Sequence, residues 1–97
     1  MAAVKIRWTR LAVEDLDCAY EYIATTNPAA AHALIARIES ALEVLEAHPL
    51  IGRKGRVEGT RELAIPATPF IVAYRIAKGR VEILGIIHGA RCWPENL

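Results

Sequence analysis

The sequence predicts an α+β two-layer sandwich, with a helical hairpin packed on a mainly antiparallel sheet. Three observations predict it: a short apolar/basic alternation near the start, two successive apolar stripes at helical spacing, and three β-patterned segments in the second half. The order is strand–helix–helix–strand–strand–strand. Residues 1–97 are read as one domain, because a chain of this length has no room for a second core.

Val4-Lys5-Ile6-Arg7-Trp8 alternates, which puts Val4, Ile6 and Trp8 on one face of a short strand. Thr9 is a suitable N-cap for a helix over about 10–25, in which Ala12, Leu16, Ala19, Tyr20 and Ile23 form the apolar stripe. Glu14, Asp15, Asp17 and Glu21 fill its other face, and acidic first turns suit the positive end of a helix dipole. TTNP ends this helix and starts the next, with Asn27 as N-cap and Pro28 in the first position, where its missing N–H costs nothing. Ala31, Leu34, Ile35, Ile38, Ala41, Leu42 and Leu45 give the second helix a continuous stripe that ends before Pro49. The short linker requires the two helices to run antiparallel.

Residues 48–60, HPLIGRKGRVEGT, read as a glycine-punctuated basic loop. Three strands follow, RELAI (61–65), FIVAYRI (70–76) and VEILGIIH (81–88). Ala77-Lys78-Gly79-Arg80 is a tight hairpin between the last two, and Pro66 and Pro69 bracket the other turn because neither can donate a ladder bond. The 70–76 strand is apolar on both faces, as a central strand should be.

A composition of 54% hydrophobic and 24% charged residues fits a folded domain. The chain start lacks the apolar stretch of a signal peptide and no apolar run is long enough to span a bilayer, so the expected location is cytoplasmic. Cys18 and Cys92 form no CxxC or Cys/His cluster, so reduced thiols are expected and no metal or cofactor. The net charge of +1 conceals an asymmetry: residues 1–50 carry four Lys/Arg against seven Asp/Glu, and residues 51–97 carry eight against four. The C-terminal half should therefore attract anions.

No phosphate-binding loop, nucleophile elbow or metal-ligand spacing is present. His32 and His48 read as structural, one beside the second helix's stripe and the other at that helix's end. His88 closes the last strand, with Arg91 and Trp93 shortly after it. A metal-free ribonuclease needs a base, an acid and two or more cations converging on one phosphate. Alternation puts Arg75 on a face with Ile71 and Ala73, and Arg61 with Leu63 and Ile65 opposite Glu62, so the sheet is expected to offer isolated charges.

Five stretches together resemble the RelE/ParE toxin superfamily: AVEDL (12–16), NPAAA (27–31), HPLIGRKGRVEGTREL (48–63), YRI (74–76) and VEILGIIHGAR (81–91). The resemblance covers nearly the whole chain and is closer to the ParE branch. It implies the toxin of a type II toxin–antitoxin module of the plasmid-stabilisation type. A cognate antitoxin whose disordered segment folds on binding would neutralise it by laying an apolar face in a groove, within a hetero-oligomer. RelE-like members cut mRNA on the ribosome, whereas ParE-like members bind and poison DNA gyrase without being enzymes.

RelE-like nucleases carry lysines on the strand matching RELAI, an arginine early in the next strand, another after the last strand, and a terminal tyrosine or histidine. An ungapped reading places Glu62 and Ala64 at the lysines, Ile71 at the first arginine, Arg91 at the second and Leu97 near the aromatic. The resemblance therefore implies a gyrase-binding growth inhibitor with no catalytic residues. Its candidate target contacts are Arg53, Arg56, Arg91 and Trp93, of the types enriched at interface hot spots. Trp93 packing the tail onto the core, and a solvated role for the basic loop, remain open. The alternatives are an mRNA endonuclease using Arg61, Arg75, His88 and Arg91, and a toxin-fold protein that only binds its partner.

Overall fold

The computed structural model describes residues 4–88. Arg91, Trp93 and Leu97 lie outside them. The elements are β1 (Lys5–Trp8), α1 (Arg10–Ala24), α2 (Pro28–Ala47), β2 (Arg53–Lys54), β3 (Arg61–Ala64), β4 (Phe70–Ala77) and β5 (Arg80–His88). One mixed five-stranded sheet runs β1-β5-β4-β3-β2, with β4 at its centre. Only the β1–β5 pair is parallel. The segment expected to be wholly loop thus contributes a fifth strand, a two-residue pairing of Arg53 with Glu62 and Lys54 with Arg61. Two residues are too few to leave a periodic signal.

Both helices are capped as their sequences require. The Thr9 hydroxyl accepts from the Ala12 N–H at 3.3 Å and the Asn27 side chain from the Ala30 N–H at 3.1 Å, with Pro28 in the first turn. The expected acidic first turn of α1 is not found: residues 10–13 carry no acid, and the carboxylates begin one turn later. Asp15 instead accepts the Ile86 N–H on β5 at 3.1 Å. Beyond Trp8 the chain leaves the sheet for α1, so β1 no longer meets this part of β5 and Asp15 takes up the ladder donor.

The α2 stripe buries Ala31, Leu34, Ile38, Ala41 and Leu45, of which Leu34, Ile38 and Leu45 share one core with Val72, Tyr74, Val81, Ile83 and Ile86 of the sheet. Fully burying a side chain such as Ile38 or Leu45 contributes about 1.5–3 kcal/mol. A bulge in β5 makes this core continuous. Ala73 faces Gly85 but Tyr74 faces Ile83, leaving Leu84 unmatched. Val81 and Ile83 therefore share the helix side with Ile86 and His88 despite the change of parity. The β4–β5 turn has φ of 53° at Lys78 and 74° at Gly79, the left-handed pair that a two-residue hairpin needs.

Candidate functional site

The face of the sheet turned away from the helices carries two buried carboxylates, each gripped by two arginines. Glu82 accepts from Arg75 Nε at 2.7 Å and Arg7 Nη1 at 3.1 Å, with its side chain only 9% exposed. The Arg75 hydrogen bond, opposed by burial and aided by Arg7, holds this carboxyl below the usual glutamate range. Glu62, 2% exposed, accepts from Arg53 Nη2 at 3.0 Å and from the Arg56 backbone N–H at 3.1 Å, with Arg56 Nε 3.8 Å away. Register produces both groups: Arg7 and Arg75 each stand opposite Glu82, and Arg53 stands opposite Glu62. Of the charges expected to be isolated, Arg75 and Glu62 are therefore paired across strands. Strand order decides this, and alternation within one strand cannot reveal it.

Arg61 lies on the other side of the sheet. It donates to the carbonyl oxygens of Gly52 (2.8 Å) and Leu50 (3.3 Å). Its cross-strand neighbour Tyr74 works on the same loop, donating to Pro49 O at 2.8 Å and accepting from the Gly52 N–H at 2.9 Å. Burial pushes the Tyr74 hydroxyl above its usual pKa, against the lowering effects of the Gly52 bond and the Arg61 charge. Gly52 is needed for this approach, since a Cβ there would overlap the hydroxyl and sit 2.7 Å from Tyr74 Cε1. The basic segment Arg53–Arg56 thus leaves from an anchored base.

His88 ends β5 on the helix side, with its ring edge-on to Phe70 at 5.6 Å between centroids. Arg75 is on the opposite face and pairs with Glu82, whereas His88 stands opposite Phe70, five β4 residues from Arg75 or about 17 Å along the strand. Arg61, Arg75 and His88 are therefore not brought together, and Arg91 lies outside the described residues. Among the described residues no three His, Cys, Asp or Glu side chains are grouped as metal ligands would be, and no helix is long and apolar enough to cross a membrane.

Several grooves border the helical layer, two of them of more than about 300 Å³. One of about 510 Å³ lies between α1 and the ends of β4 and β5, lined by Asp15, Cys18, Tyr22, Phe70, Ile86 and His88. Its burial raises the Asp15 carboxyl pKa, the Ile86 N–H opposing and Glu14 adding to the effect. The other, of about 330 Å³, lies between α2 and β3, with Arg37, Val44, Leu63 and Pro66 among its walls. Tyr22 is 81% exposed at the mouth of the first. Sequence reading missed Arg7, Glu62, Glu82 and Asp15 as site residues. The signal available for Glu62 and Glu82 was an acid at a buried position of a β-patterned segment.

A helical hairpin on one face of a mixed sheet, with arginine-clamped carboxylates on the other and grooves beside the helices, defines a small α+β domain. Residues 6–93 match the profile of the ParE toxin of type II toxin–antitoxin systems, and the chain belongs to that family. It is 41% identical over its full length, and that of the relative, to a putative toxin, Y4kP, of Sinorhizobium fredii. Its fold is similar to a chain of the chromosomal ParDE toxin–antitoxin system of P. aeruginosa, with a TM-score of 0.79, 28% identity, and 89% and 96% of the two chains covered. It is also similar to a chain of the RelBE2 toxin–antitoxin complex of Mycobacterium tuberculosis, with a TM-score of 0.63, 27% identity, and 94% and 97% covered.

Proposed function

We propose that this toxin inhibits growth by binding DNA gyrase rather than by cutting RNA, and that a cognate antitoxin neutralises it. The observation that carries this reading is the clamped carboxylate Glu62 at a position where the nuclease branch would place a lysine. Glu62, Ala64 and Ile71 share the helix-free face, so none of these three positions offers a cation to a phosphate, and the nearby Arg53 and Arg56 are engaged by Glu62. Losing one transition-state donor costs about 3–4 kcal/mol, and here several are replaced together. Arg53 and Arg56, on the anchored segment, are the described candidates for target contact. Arg91 and Trp93 complete the set outside the described residues. The antitoxin's segment would lay its apolar side chains in the grooves flanking the helical layer. The higher TM-score to the ParDE chain supports the same branch.

Induced expression in a bacterium, with purified gyrase assayed in parallel, tests this. The expected result is a DNA-damage response, inhibited supercoiling and intact mRNA. The likeness to RelBE2 supports a second reading, ribosome-dependent mRNA cleavage, and codon-positioned mRNA breaks with gyrase unaffected would establish it in place of the first. A well-expressed protein with no growth effect would leave only partner binding.

A further inference from the structure

The register gathers a second basic cluster at the hairpin end of the helix-free face, distinct from the Arg53–Arg56 segment. Lys5 stands opposite Arg80, and Arg7 and Arg75 stand opposite Glu82. Lys5 and Arg7 are two residues apart on β1, as Arg80 and Glu82 are on β5, so all five side chains share one face. Four cations surround one buried carboxylate, a local charge of +3. Along β1 the Lys5–Arg7 spacing is about 7 Å, and from β1 to β4 is about 10 Å. Glu82 does not quench this charge. It engages one nitrogen of each guanidinium and fixes both arginines, which remain 59% and 54% exposed with other N–H donors to offer.

We infer that this face binds the phosphate backbone of double-stranded DNA without sequence preference. Binding of this kind requires clustered positive charge and nothing else, and cleavage chemistry is not part of it. The features that would favour other polyanions are missing from the patch. Single-stranded nucleic acid is held by aromatic stacking, and Trp8, Phe70 and Tyr74 lie on the helix side of the sheet. An acidic peptide would seek exposed apolar anchors, but Ile71, Ala73 and Ile87 on this face are at most 8% exposed. The two larger grooves open beside the helices instead.

The test uses fluorescence anisotropy of a labelled 20-bp duplex of mixed sequence with the full chain, titrated between 50 and 200 mM salt. Four phosphate contacts predict a slope of log K against log salt of about −3 to −4. Lys5→Gln/Arg80→Gln should bring that slope to about −2 and weaken binding at 50 mM by about tenfold or more. Neither residue forms a salt bridge among the described residues, so the fold should survive, and circular dichroism checks this. The single variants should each remove about 1 from the slope. Arg10→Gln/Arg37→Gln, an equal loss of charge on the helical layer, should change neither quantity. Absence of binding at 50 mM, equal losses in the two double variants, or better displacement by single-stranded DNA or polyglutamate than by duplex would each overturn the inference. No gyrase is present, so the result is independent of the proposed target.

Discussion

Removing one oxygen from the core, Tyr74→Phe, isolates the anchor on which the basic segment depends. The ring stays, so packing is kept, but the Gly52 N–H loses its acceptor at 2.9 Å and Pro49 O its donor at 2.8 Å. Gly52 is buried, and a buried donor left without a partner costs about 1–3 kcal/mol. The lost donor to Pro49 O adds a smaller amount, and the hydroxyl that no longer needs desolvation offsets part of it. A net loss of about 2 kcal/mol is expected, or a Tm lower by about 8–16 °C for a domain of this size. Urea and thermal unfolding followed by circular dichroism at pH 7 measure it, with amide exchange at Gly52 as the local readout.

The same residue makes a pH prediction. Its folded pKa lies above the ordinary 10.0, so the folded state holds the proton more tightly than the unfolded one. The stabilisation is complete below pH 10 and is lost as pH rises through the folded pKa. Wild type should therefore lose its advantage over the Phe variant in strong alkali. A loss below about 0.5 kcal/mol at neutral pH, with Gly52 exchange unchanged, would refute the claim that this hydroxyl anchors the loop.

Gly52→Ala should act on the same contact from the other side. Its Cβ would lie 2.7 Å from Tyr74 Cε1 and 2.9 Å from Glu62 O, and a cost of about 1–3 kcal/mol should appear in the denaturation midpoint. Lys78→Asn, at a φ of 53°, should stabilise by about 1 kcal/mol because Asn tolerates the left-handed region, seen as a Tm rise of about 4–8 °C. Glu82→Gln should lower the Tm at pH 7. Because Arg75 and Arg7 depress the folded pKa, wild type's advantage is present above the ordinary value of 4.5 and lost as pH falls through the folded one. A thermal-melt series from pH 7 to 3 should show the gap closing.

Periodicity and capping residues sufficed for both helices, the β4–β5 hairpin and the central place of β4, because each is written in neighbours a few positions apart. Alternation also grouped Arg75 with Ile71 and Ala73, and Arg61 with Leu63, but only the register shows that the two arginines lie on opposite faces. Arg7 read only as an outward charge on a short strand. Its partner Glu82 lies 75 residues away. The β5 bulge escaped for a related reason: Ile83 and Ile86 share a face only because Leu84 finds no partner on β4.

What the sequence determined alone is the set of elements other than β2, the family resemblance and the absence of a lysine pair on the strand holding Glu62. What the tertiary structure decided is where the charge goes. Strand order β1-β5-β4-β3-β2 brings Arg7, from near the start of the chain, and Arg75 onto Glu82 and leaves four cations around it. Charge pairing acts over a few ångströms in space, and separation along the chain does not measure that distance.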